Sequence, residues 1–268
     1  MDLVSTPASA ARLRRTLWSD VVQPKEHGSW SLAFEPVALG LLAAPSPAGA
    51  WLGVAVAGGF LARRPLKIAW RDASPARCRR ARGAFLFCAF VAAAGFLAAV
   101  ATGGASLLAW LAPAAVAGGV FLCFDLRNGG REETAEIAGA VAFSCLPAAL
   151  VAAAGGTAAN AGALAAVMLA RAVPAVLLVR GRVRGAKTGR LRLMPGLVST
   201  FLATPVAIVL ACPHVPPALA VATGTALLGR AAIYGCLPLS RLRPRTLGLV
   251  ELVLGCAYVA LLGAAWRP

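Results

Sequence analysis

The stretch GAFLFCAFVAAAGFLAAVATGGASLLAWLAPAAVAGGVFLCF, Gly83 to Phe124, contains no Asp, Glu, Lys or Arg. It is bounded by CRRAR at Cys78–Arg82 and by DLRNGGREE at Asp125–Glu133. An apolar run of this length holds two membrane spans of ~20 residues each. The short break at Thr102-Gly103-Gly104-Ala105 carries no charge. The reading is a hairpin of two membrane helices with both of its basic ends on the same side.

The same alternation extends in both directions. The chain has 268 residues, is 59% hydrophobic and has a mean hydropathy of +0.77. That composition predicts an all-α, polytopic membrane bundle and leaves no room for a soluble domain. The predicted spans are Gly28–Ala44, Ala48–Ile68, Gly83–Ala101, Ser106–Phe124, Thr134–Ala154, Ala159–Val179, Gly196–Ala211, Pro217–Cys236 and Leu247–Ala265. Residues 1–27 form a separate arm, in which Leu13, Leu17 and Val21 line one stripe of a short amphipathic helix. Residues 28–268 form a single transmembrane domain of about nine helices.

There are 26 Lys+Arg against 10 Asp+Glu, a net charge of +16. In a soluble protein this balance would suggest nucleic acid. Here the basic residues fall in alternate connections: the arm and the loops after spans two, four, six and eight. The loops after spans one, three, five and seven hold no Lys or Arg. The positive-inside rule then predicts a cytoplasmic N-terminus, an external C-terminus and residence in the plasma (inner) membrane. The basic side attracts anionic lipid headgroups, and no nucleic acid is expected. The seven cysteines have irregular spacing and no C-x-x-C pair, so neither a disulfide framework nor a metal site is expected.

Charges inside apolar runs are the informative exceptions. Glu35, Arg171, Arg230 and Glu251 sit within predicted spans, where an ionisable group costs at least ~2.5 kcal/mol. All four lie toward the predicted cytoplasmic half. This lopsided placement predicts a polar, Arg-rich cavity open to that side. Lys25, Arg63, Arg64, Lys67, Arg127, Arg131, Arg180 and Arg184 crowd its rim, joining Arg171, Arg230 and Glu251 as candidate ligand-binding residues. Guanidinium groups at such positions suit phosphate or carboxylate. Glu26, His27 and Glu35 are the candidate proton carriers. The acids Asp125, Glu132 and Glu133 raise a magnesium reading, but Arg127 and Arg131 interleave with them and argue against it.

Three segments resemble the YwiC-like membrane proteins. Pro24-Lys25-Glu26-His27-Gly28-Ser29-Trp30 resembles their PKEHGxW signature, and Arg63-Arg64-Pro65-Leu66 resembles a second element. Arg171-Ala-Val-Pro174, followed by Val179-Arg180-Gly-Arg182-Val-Arg184, resembles a third. A more distant likeness is to UbiA-type intramembrane prenyltransferases. It implies a nine-helix arrangement with an inside N-terminus and transfer of an isoprenoid, lipid or quinone precursor. Those enzymes hold magnesium pyrophosphate with Asp-rich motifs. The matching places here carry Arg63, Arg64, Lys67 and Arg71, and Arg180, Arg182 and Arg184. Three functions therefore stay open: a membrane-embedded transferase, a transporter or binding protein for a small anionic or amphiphilic molecule, and an assembly partner of a membrane complex.

Overall fold

The structure, a computed structural model, describes residues 20–23, 27–188, 192–236 and 244–267. Ten helices and no strands occur among them. They are α1 (His27–Ala43), α2 (Pro47–Arg71), α3 (Pro75–Gly103), α4 (Ser106–Leu126), α5 (Glu133–Ser144), α6 (Leu146–Ala153), α7 (Ala158–Thr188), α8 (Met194–Ala211), α9 (Pro217–Cys236) and α10 (Pro244–Ala265). Seven segments are long and apolar enough to cross a membrane, with α5 and α6 together counting as one. The predicted arm helix lies outside the described residues except for a turn at 20–22.

Local chemistry explains the helix starts. Ser46 caps α2 by accepting from the Gly49 amide at 3.0 Å, with Pro47 in the first turn where its missing N–H is harmless. Ser74 and Pro75 open α3 in the same order, without a side-chain cap bond. After α4 the chain reverses through Asn128, whose φ of 65° is a left-handed value that Asn tolerates.

Two elements differ from the sequence reading. The predicted span Thr134–Ala154 holds as one apolar segment, Glu133–Ala153, but its helix is interrupted at Cys145. Pro147 supplies no amide to the Phe143 carbonyl four residues earlier, and the Ser144 hydroxyl donates back to the Ala140 carbonyl at 2.7 Å, a bond that bends helices. The second difference concerns the basic loops. Arg77–Arg82 begin α3 and Arg180–Arg184 end α7, so these charges ride on helix. Arg and Ala are strong helix formers, and charge does not terminate a helix. At 1.5 Å per residue α7 is ~46 Å long, well beyond a ~30 Å hydrocarbon layer.

The bundle is centred on α5, α6 and α7, whose apolar windows are mostly buried. Leu164, Val167 and Met168 of α7 pack there with Leu39, Val151 and Leu262. α3 and α4 are peripheral and turn Phe87, Phe90 and Val116 outward. Outward apolar side chains on this scale suit hydrocarbon surroundings. α2 and α3 pack backbone to backbone. A Cβ on Gly58 would come within 2.7 Å of the Ala92 nitrogen, and one on Gly95 within 2.8 Å of the Ala55 nitrogen. Small residues at a helix contact are a common membrane solution, because dispersion and not water exclusion drives association. α10 packs along α1 and meets α7 and α9 only over short stretches. That arrangement positions the buried charges.

Candidate functional site

Four helices bring their buried charges to one place. Glu35 comes from α1, Arg171 from α7, Arg230 from α9 and Glu251 from α10. Each is at most 8% exposed. Arg171 Nη1 lies 2.5 Å from Glu35 Oε2, and its Nη2 donates to the Glu251 carbonyl at 3.2 Å. Arg230 Nη1 donates to Glu251 Oε2 at 3.2 Å, and the Tyr234 hydroxyl donates to Glu251 Oε1 at 2.8 Å. The Ser31 hydroxyl donates to Glu35. The Arg171 guanidinium also lies 5.8 Å from the centre of the Tyr258 ring, a favourable cation–π distance.

The helical repeat builds this arrangement. Glu251, Gly255 and Tyr258 follow an i, i+4, i+7 spacing and share one face of α10. Ser31 stands four residues before Glu35, and Arg230 four before Tyr234, so each pair shares a face of its helix. Gly255 is required for the close approach. A Cβ there would overlap the Glu35 carboxylate and the Arg171 guanidinium.

A second cluster joins α2 to α4. Asp125, 2% exposed, accepts from Arg63 Nε at 2.8 Å and Lys67 Nζ at 2.8 Å, one on each carboxylate oxygen. Arg63 also covers the Phe121 ring at 4.7 Å. A third cluster joins α7 to α5. Arg180 Nη1 meets Glu136 at 2.5 Å and the Arg131 carbonyl at 2.7 Å, while its Nε lies 3.5 Å from Glu133. Arg64 donates to the Gln23 carbonyl. Arg127 and Arg184 are exposed. Lys25, Glu26 and the His27 side chain lie outside the described residues.

The candidates thus divide. Glu35, Arg171, Arg230 and Glu251 are brought together, whereas Arg63 and Lys67 gather on Asp125 and Arg180 on the acids of α5. Sequence reasoning missed Ser31, Tyr234, Gly255 and Tyr258 as members of the first group. Their spacing to known charges, four or seven residues along one helix, was the available signal. A small cavity among α7, α8, α9 and α10 is apolar, lined by Val167, Ile208, Leu227, Tyr258 and Leu262 among others.

A helical bundle with seven apolar segments able to span a bilayer, lipid-suited outer faces and charges gathered inside is a multi-pass integral membrane protein. Residues 23–153, just under half of the chain, match the family model described as YwiC-like protein, so that segment is similar to the YwiC-like family. The matched segment includes the Pro24–Trp30 and Arg63–Leu66 elements and ends before α7. No curated protein and no solved structure matches the chain.

Proposed function

We propose that this YwiC-like protein binds the anionic head of an amphiphile (an isoprenoid, lipid or quinone precursor) at the Glu35–Arg171–Glu251–Arg230 cluster, and acts on it in a UbiA-like transfer. In this reading the chain makes nine crossings in the plasma (inner) membrane. The Arg-bearing ends of α2, α3, α7 and α9 face the cytoplasm, and the His214–Trp266 end faces outward. The observation that carries the proposal is the convergence of charge from four helices. Arg230 in particular is 4% exposed, yet its Nε and Nη2 have no hydrogen-bond partner. Buried donors of a permanent cation favour an acceptor.

The proposed chemistry uses no magnesium. Arg63 and Lys67 each hold one oxygen of Asp125 and neutralise its charge, which disfavours a hard cation there. Arginine forks bind phosphate or carboxylate directly instead. Glu35, held by Arg171 and Ser31, orients Arg171 and is the described candidate for moving a proton; Glu26 and His27 are its proposed companions.

The test is purification in mild detergent with mass spectrometry of co-purifying small molecules, using Arg171→Ala as control. An anionic lipid, quinone precursor or isoprenoid phosphate that is lost in the variant supports the reading. Bulk membrane lipid unchanged by the variant sinks it and makes the buried charges a structural lock.

A further inference from the structure

We infer that Arg182 forms, together with Arg230, a buried oxyanion site between the Arg-bearing ends of α7 and α9, and that its ligand is of the phosphate class. The inference rests on the anion-binding reading above and assigns the headgroup to a residue outside the four-charge cluster. Arg182 is 4% exposed. Its Nη2 donates to the Tyr234 carbonyl, and its Nε and Nη1 have no partner. No carboxylate among the described residues pairs with it.

The contrast with its neighbour is instructive. Arg180, two residues earlier on the same helix, has Glu136, Glu133 and the Arg131 carbonyl. Arg182 faces the other way, toward α9, and has one backbone oxygen. A guanidinium cannot shed its proton to escape burial, and one backbone oxygen leaves most of its donors unmet, so the site favours an anion. Glu35 and Glu251 do not supply it, because they are engaged by Arg171 and Arg230. Three buried arginines therefore face two buried carboxylates in this part of the bundle.

Tyr234 links the two halves of the site. Arg182 holds its carbonyl, and Arg230 holds the same Glu251 carboxylate as its hydroxyl. Nε and Nη1 of Arg182, at the backbone end of Tyr234, and Nε and Nη2 of Arg230, beside the carboxylate at its hydroxyl end, are unpartnered. A carboxylate can accept from more than one donor, but its two oxygens lie in one plane and suit a single fork best. A phosphate has enough oxygens to engage two forks at once. A free phosphate group and a phospholipid head share this chemistry.

The test uses the full chain in mild detergent, with inorganic phosphate titrated while thermal unfolding is followed. The same preparation is then mixed with phosphatidylcholine vesicles with and without phosphatidic acid, and retained lipid is measured. Arg182→Gln is expected to weaken binding about ten-fold or more, since it removes hydrogen bonds to a charged group. Without added anion, Arg182→Gln is expected to unfold no earlier than wild type, because it removes an unpaired buried charge. Arg182→Lys keeps the charge and loses the fork, and is expected to bind more weakly than wild type while folding normally.

A response of wild type to inorganic phosphate assigns a free oxyanion. A response to phosphatidic acid alone assigns a lipid head. Equal binding by wild type and Arg182→Gln overturns the assignment of Arg182 and leaves the broader anion reading standing. Absence of any response in wild type overturns the phosphate site, whereas the broader anion reading stands or falls with the co-purification experiment. Earlier unfolding of Arg182→Gln without anion also overturns the assignment, since it makes the bond to Tyr234 the whole role of Arg182.

Discussion

Replacing Glu35 by Gln changes one charge and almost no volume at the centre of the four-helix cluster. Arg171 then keeps the Glu251 carbonyl at 3.2 Å and loses the carboxylate at 2.5 Å. Both side chains are about 5% exposed or less, so water does not replace the lost partner. Breaking a buried pair from one side costs about 3–5 kcal/mol, because an uncompensated charge remains behind. Arg171→Met leaves Glu35 unpaired and carries a similar cost. The double variant Glu35→Gln/Arg171→Met removes both charges, so its loss is expected to be smaller than the sum of the singles. The coupling is read from unfolding of the four proteins in mild detergent, followed by circular dichroism. Single variants within ~0.5 kcal/mol of wild type, or strictly additive losses, would refute the pair as an energetic unit.

Four further outcomes follow from particular contacts. Gly255→Ala pushes a methyl into the Glu35–Arg171 contact and is expected to cost about 1–3 kcal/mol in the same unfolding assay, whereas Gly248→Ala, which meets open space, costs little. Asp125→Asn leaves Arg63 and Lys67 without their carboxylate and is expected to lower stability by about 1–3 kcal/mol; an unchanged unfolding curve counts against the clamp. Gly58→Leu forces α2 from α3 at a backbone contact, so a sharp loss of folded protein in detergent is expected, and wild-type yield and stability would contradict the packing. Finally, in a variant lacking its native cysteines, Arg79→Cys is expected to react with an impermeant thiol reagent only from the cytoplasmic side and Pro213→Cys only from outside; the reverse pattern overturns the proposed sidedness.

The helices were legible where apolar runs end in charge or proline. α4 and α9 match their predicted bounds to within two residues. The starts of α3 and ends of α2 and α7 were placed too deep, because hydropathy reports the membrane and not the helix. Arg and Ala let a helix continue into water unannounced. Within the site, Glu35, Arg171, Arg230 and Glu251 stood out as charges in greasy surroundings. Their pairing was not legible, since it depends on which helices meet. Gly255 was still less visible, because its meaning is the side chain it lacks. Arg182 looked like one member of a basic run; only the direction it faces separates it from Arg180.

The close α2–α3 contact has a mechanical consequence. Two glycines seat one backbone on the other, so this hairpin resists sliding and moves as one rigid piece. The α9–α10 boundary is its opposite: a short contact bridged by Arg230, Tyr234 and Glu251. A displacement that parts α10 from α9 breaks both bonds to Glu251. Opening the bundle along this seam therefore uncovers the Glu251 carboxylate and the Arg230 guanidinium as it proceeds.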